Sequence, residues 1–521
     1  MSRILIINFD ETLTIPSLRI INKIRSNPLA EVHYLTYEDN PLREYLNFVE
    51  KVHTIDRKKI KKLTTKKLFE GSHVVNYVYK LVSELKKMTW THIHCLSLDQ
   101  VSLNFHSYIA SKTNTHLILN EHRSFSSQNF WSIFRFYIEK NIIISPLNLT
   151  EVIAKEYKIK SDSTLPLRVN DEYTQVANQN FLRIRKKIKE GNIDKKIIGI
   201  QFYSKSTDCN IEDHELISLV SQLQESKHFY PVIIINKNEA ERDLIDFLNS
   251  AFSQKTITID TDYSALPAVL KNIDCFITVD KIALQIADSC DSPSIYITNA
   301  NELRKFGSCI SNNFSIIKNS GESGLSLSLV KFLRYQTGVD YKLIESDYNC
   351  FSSQNHDGNI GYHQISGELS ISELVTSYIN KAFVYSKESS TTYIENDLIS
   401  LISKIDITEW KKTENEKFTL VLRDLLTCIR CLRMTKDSLS HTRKFLLALE
   451  ALLEHGDLAS ITQIPILLFR SRVEQIQSGN KLTNLNQFEA HLFELKDDLN
   501  LINSIMGQLS NKKPTARSIN I

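Results

Sequence analysis

The chain has 521 residues, of which 42% are hydrophobic, and its formal net charge at pH 7 is +3. At roughly 150 residues per domain, this length predicts about three globular domains, and the apolar content is enough to give each one a core. The nearly balanced charge argues against nucleic acid as the main partner.

No apolar run approaches the roughly 18 residues that cross a bilayer. The residues before Asp10 are too few for a signal peptide. The eight cysteines are scattered through apolar segments, which is typical of reduced thiols. We therefore expect a cytoplasmic protein with at most peripheral contact to the inner face of the membrane.

Short strands alternate with amphipathic helices in two successive parts of the chain. The first series opens with the apolar run at residues 4–7, followed by the helical pattern PSLRIINKIRS. The second series opens with KIIGIQFY near residue 195. Because parallel strands need crossover connections, this order predicts two α/β domains, over 1–180 and 190–345. We expect a deep cleft between them, because ligand sites are common at domain interfaces.

The pattern changes in the last third of the chain. Residues 346–394 are polar and rich in turn-forming residues, so we predict a linker with a short helix there. From 395 to 510, apolar residues recur at helical spacing, as in FLLALEALLEHG, which ends at Gly456. This spacing predicts a bundle of about four helices, which suits the binding of a protein partner.

An aspartate stands directly beyond the first predicted strand. Asp10 follows the apolar run by three residues, at the carboxyl end of that strand. In open α/β sheets, ligands bind beside the carboxyl ends of the strands, so Asp10 is a candidate functional residue. The alternative is that Asp10 caps the next helix, since aspartate is a favoured N-cap residue.

Three segments resemble the lipopolysaccharide heptosyltransferases of glycosyltransferase family nine. They are ILIINFDETLTIPSLRIINKIRSNPLAEVHYLT, INKNEAERDLI and LPAVLKNIDCFITVDKIALQIADSCDSPSIYIT, and the resemblance covers residues 1–330. It implies an α/β fold with a GT-B-type pair of Rossmann-like domains, to which this chain adds a C-terminal α-helical bundle domain. The first domain would bind the acceptor, and the second would bind the nucleotide sugar.

The resemblance assigns roles to three acids. Asp10 falls on the catalytic aspartate, which acts as general base on an acceptor hydroxyl. Glu241 falls on the acid that holds the ribose of the donor, and Asp280 falls on the aspartate of the donor-diphosphate loop. Asp10 and Asp280 both end strands at the carboxyl edge of their sheets, so we expect them to face each other across the cleft.

The chain departs from the family pattern in the donor-binding half. Lys281 and Ile282 stand where the family has Thr or Ser and Gly, and Gln285 replaces a histidine. The phosphate-binding lysine has no clear equivalent, because alignment places Cys209 there and Lys205 four residues earlier. We expect Lys281 to supply the positive charge for the diphosphate leaving group.

A basic run in the first half holds seven Lys or Arg residues between 57 and 67 and no acid. It would steer an anionic glycolipid or a membrane surface toward the acceptor side. The alternative is an ordinary solvated surface. The residues predicted to make such contacts are Arg57, Lys58, Lys59, Lys61 and Lys62.

These features together predict an inverting, metal-independent glycosyltransferase without a cofactor. It would move a sugar, with heptose as one candidate, from a nucleotide-diphosphate donor to a hydroxyl acceptor. The acceptor would be a lipopolysaccharide core, another glycan or glycolipid, or a protein. The alternative is a catalytically inactive scaffold or regulatory partner, which the departures at 281, 282 and 285 favour.

Overall fold

The chain forms two compact units in the computed structural model. The α/β unit comprises Met1–Thr115 and Asn148–Glu368, and the helical unit comprises His116–Leu147 and Leu369–Ile521. The structure describes residues 2–59, 71–109, 118–119, 125–126, 129–140, 146–159, 167–190, 195–205, 207–235, 256–318, 324–340, 346, 348–356, 359–367, 371–389, 407–438, 441–476 and 480–511.

Strands and helices are numbered here along the described chain. The strands are β1 (Ser2–Ile7), β2 (Ala30–Tyr37), β3 (Lys51–Ile55), β4 (His92–Cys95), β5 (Ile118–Leu119), β6 (Phe125–Ser126), β7 (Lys196–Gln201), β8 (Phe229–Ile235), β9 (Ile257–Asp260), β10 (Cys275–Thr278), β11 (Ser294–Thr298), β12 (Phe314–Ile317), β13 (Asn349–His356) and β14 (Asn359–Ser366). The helices are α1 (Thr14–Arg25), α2 (Gly71–Lys87), α3 (Gln100–Ile109), α4 (Phe130–Lys140), α5 (Leu149–Glu156), α6 (Asp171–Glu190), α7 (Asp213–Glu225), α8 (Leu266–Leu270), α9 (Lys281–Ser289), α10 (Ala300–Phe306), α11 (Leu325–Gln336), α12 (Ile371–Ser389), α13 (Thr408–Asp437), α14 (Thr442–Glu454), α15 (Gln463–Glu474) and α16 (Lys481–Asn511).

Two sheets form the α/β unit. The first has the strand order β3-β2-β1-β4 and is parallel throughout. The second has the order β14-β13-β12-β11-β10-β7-β8-β9 and is parallel from β12 to β9. Their continuous apolar runs suit parallel strands, which are covered on both faces. These sheets and the helices after residue 370 confirm the predicted α/β class with a C-terminal helical region.

One glycine reflects how closely the second sheet is covered. A Cβ added to Gly199, in β7, would lie 2.7 Å from Cδ1 of Ile273 and 2.9 Å from Cδ1 of Ile234. Any larger side chain would therefore displace two buried apolar residues.

Part of the predicted linker forms a hairpin on the edge of the second sheet. β13 pairs antiparallel with β12 and with β14, across residues 349–366. Only one face of the hairpin is apolar, with Cys350 and Ile360 buried on it. The segment is therefore polar enough in sequence that a linker was predicted there. Gly367 ends the hairpin with φ of +84°, and a Cβ added to it would lie 2.7 Å from the backbone N of Asn349.

The two halves of the α/β unit share one apolar core. Leu13 and Ile21, from the first half, belong to the same buried cluster as Ile282 and Ile286 of α9. The Tyr45 hydroxyl also donates a hydrogen bond of 2.6 Å to a backbone carbonyl of the second half, at Tyr263. The contact between the halves is therefore largely apolar at this point, rather than lined by a polar cleft.

The helical unit takes one segment from the middle of the chain. In α4, Trp131 and Phe134 are buried, and Nε1 of Trp131 donates a hydrogen bond of 3.1 Å to Glu388 in α12. This segment lies within 1–180 in sequence, yet it packs with helices near the C-terminus. Among the described helices, none combines the length and apolar character that a membrane crossing requires.

A chain of hydrogen-bonded side chains crosses the first sheet. Arg3 donates to Glu31 at 2.9 Å, and the other Glu31 oxygen lies 2.8 Å from Nε2 of His33. Nδ1 of His33 lies 2.9 Å from Nε2 of His53, so these two buried rings share one hydrogen. Burial, together with the charges of His33 and Lys51, lowers the pKa of His53 to about 4.

We expect the free energy of unfolding to fall as the pH drops from 6.5 to 4. His53 has a pKa of about 4 in the folded state and near 6.5 in the unfolded chain, so the unfolded chain takes up the proton first. The contribution of neutral His53 to the free energy of unfolding is complete above pH 6.5, and about 2 to 3 kcal/mol of it is lost by pH 4. Urea unfolding at several pH values measures it. His53→Gln should flatten this slope and the exposed His228→Gln should not, whereas equal slopes in all three proteins would contradict the assignment.

Candidate functional site

Asp10 lies in the loop after β1 and is exposed. Its Oδ1 accepts hydrogen bonds from the backbone N–H of Thr12 at 2.9 Å and from the Thr12 hydroxyl at 2.7 Å. Asp10 therefore caps the 3-10 turn at Glu11–Leu13, as its alternative interpretation predicted. No hydrogen bond joins its Oδ2 to a described residue, so this oxygen is available to a ligand.

Asp280 is only 3% exposed and accepts four hydrogen bonds. Its Oδ1 accepts from the backbone N–H groups of Ile282 at 2.8 Å and Ala283 at 2.9 Å, which caps α9. Its Oδ2 accepts from the hydroxyls of Ser204 and Tyr263, both at 2.7 Å. These bonds occupy the acceptor positions of a carboxylate. The expectation that Asp280 faces an open cleft is therefore not met, because the side chain is held inside its own half.

Glu11 is a site residue that the sequence did not single out. Its Oε1 lies 3.8 Å from the Arg57 guanidinium. Burial raises the pKa of Glu11; Arg57 opposes that rise, while the charges of Asp39, Asp10 and Asp280 add to it. Glu11 is thus close enough to both strand-end aspartates to respond to their charges. Its position directly after Asp10 was the only sequence signal.

Helix α9 contacts the turn at Glu11–Leu13, and two of its residues contribute polar groups there. The Lys281 ammonium lies 3.5 Å from Glu302 and 4.6 Å from the centre of the Phe306 ring, and its side chain is 16% exposed. Oε1 of Gln285 is buried and has no hydrogen-bond partner among the described residues. The charge of Lys281 is therefore already balanced by Glu302, and the Gln285 oxygen is an open acceptor.

The sequence did not single out a second cation, Lys318, which contacts the loop after β7. Lys205 is exposed in this loop. Lys318 is 10% exposed, donates a 2.7 Å hydrogen bond to the Asn210 carbonyl, and lies 3.3 Å from Glu212. Lys318 follows β12 and is distant from this loop in sequence. Glu241, the predicted ribose ligand, lies outside the described residues.

Internal acceptors cap the helices that begin at this edge of the second sheet. The N-terminus of α11 is capped by Glu215, which accepts from the N–H groups of Gly324 at 2.7 Å and Ser326 at 2.8 Å. Asn299 caps α10 in the same way, and Asp280 caps α9. Helix N-termini are common phosphate sites. Here their N–H groups are already partly used within the chain.

The basic run packs partly on aromatic rings. The Arg57 guanidinium carbon lies 4.1 Å from the centre of the Tyr37 ring, and the Lys59 ammonium lies 4.5 Å from that of Tyr77. Lys58 is exposed. Lys61 and Lys62 lie outside the described residues. Arg57, the only member of the run shown beside Glu11, is thus the one that contacts the candidate site.

The described residues contain no group of three or more His, Cys, Asp or Glu side chains placed to hold a metal ion.

No protein-family model matches the chain, and no curated protein is significantly similar to it. Among solved structures, the chain is similar to a glycosyl transferase family 9 protein from Veillonella parvula DSM 2008, with 13% identity and a TM-score of 0.46. The match covers 65% of this chain and 98% of that protein.

Two structures from E. coli are also similar to the chain. ADP-heptose lps heptosyltransferase II has 9% identity and a TM-score of 0.44, and the match covers 66% of this chain and all of that protein, 100%. Heptosyltransferase WaaC with ADP has 13% identity and a TM-score of 0.44, with 64% of this chain and 99% of that protein covered.

The two capping aspartates should differ strongly in their contribution to stability. Asp280→Ala should lower the free energy of unfolding by about 3 kcal/mol or more, because it removes a cap and leaves buried donors without acceptors. Asp10→Ala should cost about 1 kcal/mol or less, because water replaces its bonds. Chemical denaturation of both variants measures the difference. Equal losses would show that Asp280 does not organise the second half.

Proposed function

We propose that this chain is a glycosyltransferase that moves a sugar from a nucleotide-diphosphate donor to a hydroxyl acceptor. One observation carries the proposal: Glu11, next to Asp10 in the turn after β1, lies near Asp280, which follows β10 of the second sheet. The turn at Glu11–Leu13 contacts α9, and the Glu11 carboxyl responds to the charges of both Asp10 and Asp280. This edge of an open α/β sheet is where ligands bind.

Asp10 is the proposed general base. Its Oδ1 is held by Thr12, which leaves Oδ2 to accept the proton of the acceptor hydroxyl. The acceptor oxygen then forms a bond to the anomeric carbon while the bond from that carbon to the diphosphate oxygen breaks. Attack opposite the leaving group inverts the anomeric centre, and the nucleotide diphosphate departs with the electron pair.

Lys281 is the proposed cation for the leaving diphosphate. Its partner Glu302 lies 3.5 Å away and is part-exposed. Such a bridge contributes little free energy, so a phosphate oxygen can replace the Glu302 carboxylate. Lys205 and Lys318 flank the same edge and are proposed to assist. Gln285 offers a buried acceptor for a donor hydroxyl.

The finer parts of the proposal follow the family resemblance. We propose that the reaction needs neither metal nor cofactor, that heptose is one candidate sugar, and that the acceptor is a lipopolysaccharide core, another glycan or a protein. We also propose a cytoplasmic location. The residues of the basic run would approach an anionic acceptor.

A second candidate function is that of a catalytically inactive scaffold or regulatory partner. It is favoured by the internal acceptors at the helix N-termini, where Asp280, Glu215 and Asn299 stand in the position of a phosphate. The pairing of Lys281 with Glu302 points the same way. In this case the helical unit would provide the functional surface.

Nucleotide-diphosphate binding distinguishes the two candidates. We expect the wild-type protein to bind a nucleoside diphosphate and to gain thermal stability from it. Lys281→Ala should weaken binding by about 2 kcal/mol, roughly thirtyfold, because a charge-assisted contact is lost. Glu302→Gln should strengthen binding, because it removes the competitor of the phosphate.

Titration calorimetry and thermal shift measure these effects, with the exposed Lys271→Ala as the matched control. If the wild-type protein binds no nucleoside diphosphate at millimolar concentration, the glycosyltransferase function is rejected and the scaffold function is left.

Asp10→Asn should abolish sugar transfer and leave donor binding unchanged. The amide keeps an oxygen for the Thr12 cap but cannot take a proton from the acceptor. Transfer of a labelled sugar to an added glycan measures the rate, and calorimetry measures donor affinity. Asp39→Asn, at a nearby exposed acid, is the control. Retention of transfer by Asp10→Asn would assign the base elsewhere.

A further inference from the structure

The helical unit carries a surface on which basic and apolar side chains are exposed together. It lies on the C-terminal half of α13 and on the N-terminal half of α14. The apolar members are 37–61% exposed, which is unusual for large aliphatic groups so close in sequence. We call it the basic-apolar surface, and its main residues are Leu426, Arg430, Met434, Arg443, Leu446 and Leu447.

The two helices that carry these residues pack against each other. α13 and α14 pack together and are joined by only residues 438–441, so they run antiparallel with these halves adjacent. Both helices bury their other faces in one apolar cluster, to which α13 contributes Leu432 and α14 contributes Phe445. The exposed residues of both therefore face away from the same core.

Basic residues outnumber acids along these two helix segments. Residues 425–449 contain five Lys or Arg residues and one acid, Asp437, and the acids Asp424 and Glu450 flank this stretch. Two of the five, Arg433 and Lys436, lie near Glu489, at 3.8 and 2.6 Å. The other three are exposed, and no ion pair joins them to a described residue; they are Arg430, Arg443 and Lys444.

We propose that the basic-apolar surface docks on an anionic lipid bilayer. Exposed Leu and Met side chains enter the boundary between headgroups and acyl chains, while neighbouring cations attract anionic headgroups. A nucleic acid would satisfy the cations but would leave the aliphatic side chains without a role. The proposal does not depend on sugar transfer by the α/β unit, and it uses different residues from the basic run at 57–67.

Sedimentation of the full-length protein with lipid vesicles tests this proposal. We expect binding to vesicles that contain phosphatidylglycerol, much weaker binding to pure phosphatidylcholine, and loss of binding as salt increases. The double variant Arg430→Glu with Arg443→Glu should bind at least about tenfold more weakly, because it lowers the net charge of the surface by four. Leu446→Ser with Leu447→Ser should also reduce binding, while keeping its salt dependence.

One double variant serves as a matched control. Lys411→Glu with Lys412→Glu makes the same charge change in the first half of α13. It should bind like the wild-type protein. Circular dichroism melting of each variant establishes that it is folded, and the Leu446→Ser with Leu447→Ser variant provides a second, charge-neutral test.

Three results would overturn the proposal. The first is no binding of the wild-type protein to anionic vesicles at low salt. The second is unchanged binding after the Arg430→Glu and Arg443→Glu changes, or an equal loss after the Lys411→Glu and Lys412→Glu changes. The third is binding of soluble polyglutamate as tight as that of vesicles and insensitive to the serine changes, which would assign the surface to an acidic protein segment.

Discussion

The buried carboxylate of Asp280 connects the parts of the α/β unit that form the candidate site. One oxygen fixes the start of α9, and the other receives the hydroxyls of Ser204, from the loop after β7, and of Tyr263. Tyr263 in turn accepts a hydrogen bond from Tyr45 of the first half. A buried carboxylate is stable only when such donors surround it, so the loop, the helix and the contact between the halves depend on one another. The apolar core shared by the halves sets their distance, and this network sets the position of the residues beside it.

At the candidate site, glutamates of the chain and an external phosphate would compete for the same cations. Two of its cations have internal partners, since Lys281 pairs with Glu302 and Lys318 with Glu212. Its negative side is less balanced, because Glu11 lies near several acids and has one guanidinium, Arg57, at 3.8 Å. A bound diphosphate would therefore compete with glutamates rather than fill an empty positive site. Both proposed functions start from this arrangement, and they differ only in whether an external phosphate wins that competition.

The sequence allowed the sheets to be predicted because their signals are local. The run at 4–7 and the order of strands and helices in each half were visible as apolar periodicity. The hairpin of β13 and β14 was not, because strands covered on one face carry too few apolar residues to differ from a polar loop. Glu11 and Lys318 were missed for another reason: their surroundings are made by residues far away in the chain. The resemblance pointed to Asp280 but not to its burial, which depends on Ser204 and Tyr263 and has no signal at position 280 itself.

The membership of His116–Leu147 in the helical unit has a consequence for biosynthesis. This segment leaves the ribosome early, but the helices that bury Trp131 and Phe134 begin only after Leu369, more than 200 residues later. At typical elongation rates of 5–20 residues per second, roughly 10–40 s pass before they exist. During that time this apolar, aromatic helix is connected to an α/β unit that is only partly synthesised. Such an intermediate is a natural client for a chaperone that holds exposed apolar segments, and shortening the chain before residue 369 would leave that segment permanently without its partner helices.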